Sequence, residues 1–195
     1  DELEEDRLAR SGAAFGSTRR GIAYAYSDKY RKKTLRMGDL LRLDEENMKA
    51  RLKMMLDAKN MELAGCYHQE PMSFPALYKW CEEQAEKFKA YICDTGEFLD
   101  ESLKKGKKVI LEAQLGAMRD IDYGIFPYTS SSSTIAAYAP IGAGIPAHVP
   151  DHIVGVLKAY STCVGAGPFV AETAMPQSWL DMLRRLGGEY GAATG

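Results

Sequence analysis

The hydrophobic pattern changes at Gly106, and this change constrains the fold more than any other feature of the sequence. Upstream, apolar residues recur at helical spacing in two long segments, 44–63 and 75–93. Downstream, residues 107–112 and 153–160 are short apolar runs with the length of buried strands. A chain with long helices followed by buried strands is typical of an α/β protein. We therefore predict an α/β fold, part of a larger domain with a mixed or parallel sheet.

The same change of pattern predicts how the chain is organised. A mostly helical insertion is expected at about residues 21–105, and a strand-bearing α/β part at about 106–195. Both belong to the central part of one domain spanning residues 1–195. Further helices are expected at 1–10, 22–33, 96–104 and 177–186.

Composition excludes several classes of protein. The formal net charge of −2 gives no general affinity for nucleic acid or for a membrane surface. No apolar run approaches the roughly 20 residues that a membrane span needs. The four cysteines show no CxxC spacing, so no zinc or redox motif is present, and no other metal site is predicted. We expect a cytoplasmic protein. Because the sequence starts without Met and stops in GAATG, we also expect a piece of a longer chain.

The segment GSTRRG at residues 16–21 has the chemistry of a phosphate site. Its glycines let backbone N–H groups approach an anion, and its arginines can bind phosphate oxygens through two hydrogen bonds. An exposed polar loop is the alternative. The spacing is not that of a P-loop, GxxxxGK[ST], which occurs nowhere in the chain.

A basic cluster follows at residues 29–33, where Arg31 and Lys32 are adjacent. Such a cluster can hold a phosphate. It is also typical of a solvated helix end, where cations suit the helix dipole.

Two later segments also carry polar chemistry. Asp120 and Asp122 can bind a cation or hold a loop, and the hydroxyl-rich residues 129–134 can cap a following helix or offer an anion site. Residues 158–169 read as a strand that leads into a Gly-Pro turn, either a ligand loop or an ordinary strand end.

In this order and spacing, the segments resemble the adenylosuccinate synthetase family. Residues 16–26 resemble its GTTGRGIGPAY segment, and 36–40 its RxGDL turn. Residues 112–131 resemble EGAQG…LDIDxGTYPxVTSS, and 158–172 resemble KAYxTRVGxGPFPTE. Residues 191–195 resemble the start of the aspartate loop, GATTGRxRR. The resemblance covers nearly the whole chain and implies a P-loop-like sheet domain.

The resemblance also implies the site residues. Those expected to contact inosine monophosphate (IMP) are Ser17, Thr18, Arg31, Lys32, Gln114 and Ser130. Lys32 falls where the family has an arginine that reaches the partner subunit's nucleotide, which implies a homodimer; the adjacent Arg31 can substitute for it. The aspartate loop is expected at Ala193, Thr194 and Gly195.

The implied reaction joins L-aspartate to IMP at the expense of GTP, in AMP biosynthesis. GTP phosphorylates the purine oxygen, and the aspartate amine then displaces the phosphate, with Mg²⁺ bridging phosphates. The family's catalytic aspartate and histidine have no counterpart among these 195 residues. We therefore expect no catalytic residue in this segment, no GTP or Mg²⁺ bound by it alone, and no activity from it alone.

Several positions depart from the family pattern. Arg19 stands where the family has glycine, and Cys163 where it has arginine. Leu115 stands where the family has its nucleotide-contacting glutamine, and Gln114 lies one position earlier. These departures leave two alternatives open. One is a divergent relative acting on another purine nucleotide or amino acid. The other is a non-catalytic nucleotide-binding or dimerisation module.

Overall fold

The computed structural model describes residues 1–160, 162, 165–169 and 174–188. The chain divides into two compact units. Unit 1 comprises Asp1–Tyr24, Leu111–Gly142 and Pro146–Gly195, and unit 2 comprises Ala25–Ile110 and Ala143–Ile145.

Helices dominate the described residues. They are α1 (Glu2–Arg10), α2 (Ile22–Tyr30), α3 (Glu46–Tyr67), α4 (Phe74–Phe88), α5 (Thr95–Lys104), α6 (Ala139–Ala143) and α7 (Gln177–Gly187). Short 3₁₀ segments lie at Met37–Arg42, Lys89–Tyr91, Ala117–Arg119 and Ala136–Tyr138. The six helices expected from the sequence are confirmed. Among the described residues, none of the helices is both long enough and apolar enough to cross a membrane.

Local chemistry explains where the helices of unit 2 begin and end. The Ser73 side chain accepts the Ala76 N–H at 3.2 Å, and Asp94 accepts the Glu97 N–H at 3.0 Å, so α4 and α5 have capped N-termini. Helix α3 ends at His68, which adopts a left-handed conformation with φ 54°. Its N–H donates to the carbonyl of Leu63, which satisfies one of the last helical acceptors.

The core of unit 2 forms where α3 and α4 meet the Met37–Arg42 turn. Leu43, Leu52 and Cys81 are buried there, and burial raises the pKa of the Cys81 thiol. The partly buried side chains packed against them are Leu35, Leu40, Phe74, Leu77, Tyr78 and Ala85. The Tyr78 hydroxyl donates to the carbonyl of Leu43 at 3.1 Å, so its polar end is satisfied at the edge of the core.

Asp39 holds the turn of the RMGDL motif. It accepts the Arg36 N–H at 2.8 Å and the guanidinium groups of Arg42 at 3.1 Å and Arg51 at 3.2 Å. Burial alone would raise the pKa of Asp39, but the Arg36 N–H and the two guanidinium groups lower it overall. Arg51 also donates to the carbonyl of Thr34 at 2.7 Å and so ties α3 to the segment before the turn.

The two buried strands predicted at residues 107–112 and 153–160 are not confirmed in the described part of the chain. Residues 107–112 and 153–157 contain no strand, and Ile110, Val156 and Leu157 are each 92% exposed. A strand needs a second strand to pair with its N–H and C=O groups, and among the described residues neither run has such a partner. An apolar run is buried only when another segment of the protein covers it. The sequence of the run alone does not show whether such a segment is present. The sheet of the expected α/β fold is therefore absent from the described part of the chain.

Candidate functional site

Three of the polar segments come together in unit 1, next to Phe15. The Phe15 carbonyl accepts the N–H of Ala166 at 2.9 Å, and the Phe15 and Tyr128 rings meet edge to face at 6.4 Å. Gly167 lies so close to Tyr128 that a Cβ at this position would be 2.4 Å from the ring. The loop at residues 16–21 therefore starts beside both the hydroxyl-rich segment and the Gly-Pro turn.

The backbone of this loop is bound by two carboxylates, one from Asp1, the N-cap of α1, and one from Glu5 within the helix. Glu5 Oε1 accepts the N–H of Gly16 at 2.6 Å and the N–H of Ser17 at 3.1 Å. Asp1 accepts the Ser17 hydroxyl at 2.8 Å and the N–H of Gly21 at 2.7 Å. We call Asp1 and Glu5 the carboxylate pair. Four donors that a bound anion would otherwise use are occupied by this pair.

Arg19 also turns towards the protein. Its φ is 59°, a left-handed conformation that favours glycine, and its N–H donates to Ser17 Oγ at 3.0 Å. Its guanidinium pairs with Asp6 at 2.7 Å. Thr18 and Arg20 are exposed, and within the part of the chain that the structure describes their side chains have no hydrogen-bond partner. The donors that this loop offers to a ligand are therefore those of Thr18 and Arg20.

The Asp120 carboxylate is fully buried and organises the neighbouring segment. Burial alone would raise the pKa of Asp120. The N–H groups of Thr134, Asp122 and Tyr123 and the Ser133 hydroxyl outweigh it and lower the pKa to about 2. These four donors lie 2.7–3.2 Å from the carboxylate. Of the two roles considered for the paired aspartates, the structure shows Asp120 holding a loop.

The hydroxyl-rich run does not cap a helix, so that reading was wrong. The nearest helical turn is Ala136–Tyr138, which follows Ile135 and has no side-chain cap. Its hydroxyls instead form hydrogen bonds within the loop: the Thr134 hydroxyl donates to the carbonyl of Gly116 at 2.7 Å. Ser130 lies 3.2 Å from Ser132, oxygen to oxygen, and its N–H donates to the carbonyl of Arg119 at 2.7 Å.

Gln114 and Leu115 form a tight turn in the same unit. The Gln114 carbonyl accepts the N–H of Gly116 at 2.9 Å, and Leu115 between them has a φ of 72°. Both side chains are exposed, Leu115 by 58%. Gln114 is thus available on the surface of unit 1.

The two basic candidates lie in unit 2, just after α2. Arg31 is 4.0 Å from Asp28, a carboxylate that also pairs with Lys59 at 2.9 Å. Lys32 is exposed and adopts a φ of 60°. Its N–H donates to the carbonyl of Lys29 at 3.0 Å, which closes the helix.

The remaining candidates fall outside the described residues: Ala193, Thr194, Gly195 and Cys163. Across the residues that are described, no group of three or more His, Cys, Asp or Glu side chains has the arrangement to hold a metal ion. The exposed polar groups of the candidate site are hydroxyl, amide and guanidinium donors.

Comparison with known proteins decides the family. The family model of adenylosuccinate synthetase matches residues 1–195. The chain belongs to the adenylosuccinate synthetase family. The order and spacing of the segments matched in the sequence had indicated the same family.

Individual members of the family are similar along the whole chain. An adenylosuccinate synthetase of Caldicellulosiruptor bescii is 41% identical over 193 residues, and one of Heliobacterium modesticaldum is 40% identical over 195 residues. The solved structure of fully ligated adenylosuccinate synthetase from Plasmodium falciparum superimposes with a TM-score of 0.83 at 32% identity, covering 99% of this chain. In all three comparisons the chain spans 44% of the relative's length.

The carboxylate pair is the part of the candidate site that sequence reasoning missed. Asp1 is the N-cap of α1 and Glu5 lies four residues further along, and the sequence had indicated only a helix at residues 1–10. A signal was present, since the glycine-rich loop begins 11 residues after Glu5. Such loops need acceptors for their inward-facing N–H groups.

Proposed function

We propose that this chain forms the IMP-phosphate side of an adenylosuccinate synthetase, a ligase that joins L-aspartate to IMP with GTP. The observation that carries the proposal is the loop at residues 16–21. Thr18 and Arg20 are exposed donors on a backbone fixed from behind by the carboxylate pair. A hydroxyl and a guanidinium side by side are suited to a phosphate monoester.

The other candidates complete the proposed site. Ser130 and Gln114 lie in unit 1, on the segments that bracket Asp120. Arg31 and Lys32 are proposed to reach the nucleotide of a second copy in a homodimer, and Ala193, Thr194 and Gly195 to bind aspartate. Ser17 stays in the proposed site, with its hydroxyl directed to Asp1.

GTP and Mg²⁺ are proposed for the complete protein, which is proposed to act in the cytoplasm. Mg²⁺ would stabilise the negative charge of the transferred phosphoryl group. The described residues hold no cluster for a metal ion, so no step is assigned to Mg²⁺ here.

The proposal is tested by assaying the complete gene product for adenylosuccinate formation from IMP, aspartate and GTP. Omission of any one substrate should abolish the product. Thr18→Ala should raise the KM for IMP about tenfold, the effect of losing one hydrogen bond to a charged group. It should leave the KM for GTP unchanged. Preference for another purine monophosphate would instead support a divergent relative, and nucleotide binding without turnover would support a non-catalytic module.

A further inference from the structure

Glu5 is a buried carboxylate in an unusual setting. Its residue is only 5% exposed, and among the described residues no cation pairs with it. Its hydrogen-bond donors are the N–H groups of Gly16 and Ser17. Burying an unpaired carboxylate costs folding free energy, so a surface helix would be more stable without one unless the charge is needed where it lies.

The geometry shows what the charge does. Both N–H groups converge on the same oxygen, Oε1, at 2.6 and 3.1 Å. Two successive N–H groups directed at one point form a small anion-binding concavity, and here Glu5 fills it. Asp1 fixes the far end of the loop through Gly21 and its middle through the Ser17 hydroxyl. Thr18 and Arg20 then lie between fixed ends.

We propose that Glu5 is a positioning residue of the phosphate site: with Asp1, it holds the 16–21 loop so that Thr18 and Arg20 meet the ligand phosphate in a preformed arrangement. This inference rests on the proposed function. Glu5 does not touch the ligand. It acts through the backbone of Gly16 and Ser17, by removing the need to order the loop when the nucleotide binds.

The test compares IMP with inosine, which lacks the phosphate, by calorimetry on the complete gene product. Glu5→Ala should weaken IMP binding about tenfold, the cost of ordering the backbone of about one residue when the nucleotide binds, and leave inosine binding unchanged. Glu5→Gln should recover part of the IMP binding, because its amide oxygen can accept both N–H groups but more weakly than a carboxylate oxygen. Glu2→Ala is the matched control, since Glu2 is an exposed carboxylate on the same helix.

Amide hydrogen exchange supplies a readout that needs no ligand. In Glu5→Ala the amides of Gly16 and Ser17 should exchange faster, whereas Glu2→Ala should leave them unchanged. If Glu5→Ala does not fold, Glu5→Asp replaces it. The shorter side chain withdraws the carboxylate from both N–H groups, so the same loss of IMP affinity is expected.

Three results with Glu5→Ala would overturn the inference alone. Tighter IMP binding by Glu5→Ala would mean that Glu5 competes with the phosphate for the two N–H groups. Equal losses for IMP and inosine would mean a general structural role. Unchanged IMP binding would mean no role at all. A wild type that binds IMP and inosine equally would remove the proposed function itself, and the inference with it.

Discussion

At the scale of single residues, the buried environment of Asp120 makes the stability of its loop depend on pH. Its buried carboxylate accepts four hydrogen bonds from the loop that contains Ser130. Because these donors favour the ionised form, the pKa falls to about 2 from the ordinary 3.8. The stability contributed by this group is therefore fully present above pH 3.8 and is lost as the pH falls towards 2.

Asp120→Asn should lower the thermal midpoint above pH 4 by about 5 °C, because an amide cannot accept at both of its terminal atoms. The difference from wild type should shrink between pH 4 and pH 2, where wild-type Asp120 becomes protonated. Unfolding curves over this range check the prediction. Asp122→Asn is the control, since its side chain is exposed. A difference that stays constant down to pH 2 would contradict the assigned pKa.

Lys32 has a backbone conformation that is unfavourable for any residue with a Cβ atom. Its φ of 60° is left-handed, and it closes α2 together with the N–H of Lys33, which donates to the carbonyl of Asp28 at 2.8 Å. Lys32→Gly should therefore stabilise the fold by about 1 kcal/mol, measured by urea unfolding. It should also weaken IMP binding, if the proposed role of Lys32 in the dimer holds.

Lys33→Gly is the matched control for this prediction. Lys33 is exposed and does not have a positive φ, so glycine there should give no stabilisation. Equal effects at the two positions would show that the left-handed conformation of Lys32 carries no cost.

At the scale of elements, close packing at one end of α5 gives a sharp test. A Cβ at Gly96 would lie 2.7 Å from the carbonyl oxygen of Gly144, which is backbone and cannot move aside as a side chain can. Gly96→Ala should destabilise unit 2 by about 1–3 kcal/mol. Gly65→Ala, in α3, has no atom within 4 Å of the new Cβ and should stabilise by about 0.5–1 kcal/mol. Chemical unfolding measures the change in the free energy of unfolding for each variant. A change of the same sign in both would contradict the close packing at Gly96.

Helices could be predicted from the sequence because their signals are local. The spacing of Leu52 and Leu56 in α3 and the cap at Ser73 are set by residues within one or two turns. The contacts of the site could not be predicted in this way. Asp120 is hydrogen-bonded to Thr134, 14 positions away, and Glu5 to Gly16, 11 positions away. The periodicity of the sequence does not indicate such pairs.

At the scale of the whole molecule, the apolar run at residues 153–157 is among the most exposed apolar segments that the structure describes. Val154 is 81% exposed, and Val156 and Leu157 are each 92% exposed. Extended apolar segments with unpaired backbone groups are rare on free surfaces, because they pair readily with other strands. The relatives are more than twice as long as this chain, since it spans 44% of their length.

We therefore expect this run to become a paired strand in a polypeptide of the relatives' full length. Its amides should exchange rapidly in the 195-residue chain and slowly in the longer one, because only a paired N–H is protected. Val156→Asp should then change the stability of the 195-residue chain by no more than about 0.5 kcal/mol, as for an exposed position, and destabilise the longer protein strongly. Slow exchange in the 195-residue chain that disappears on dilution would point instead to pairing between two copies. Slow exchange at every concentration would mean that the run is covered within the chain itself.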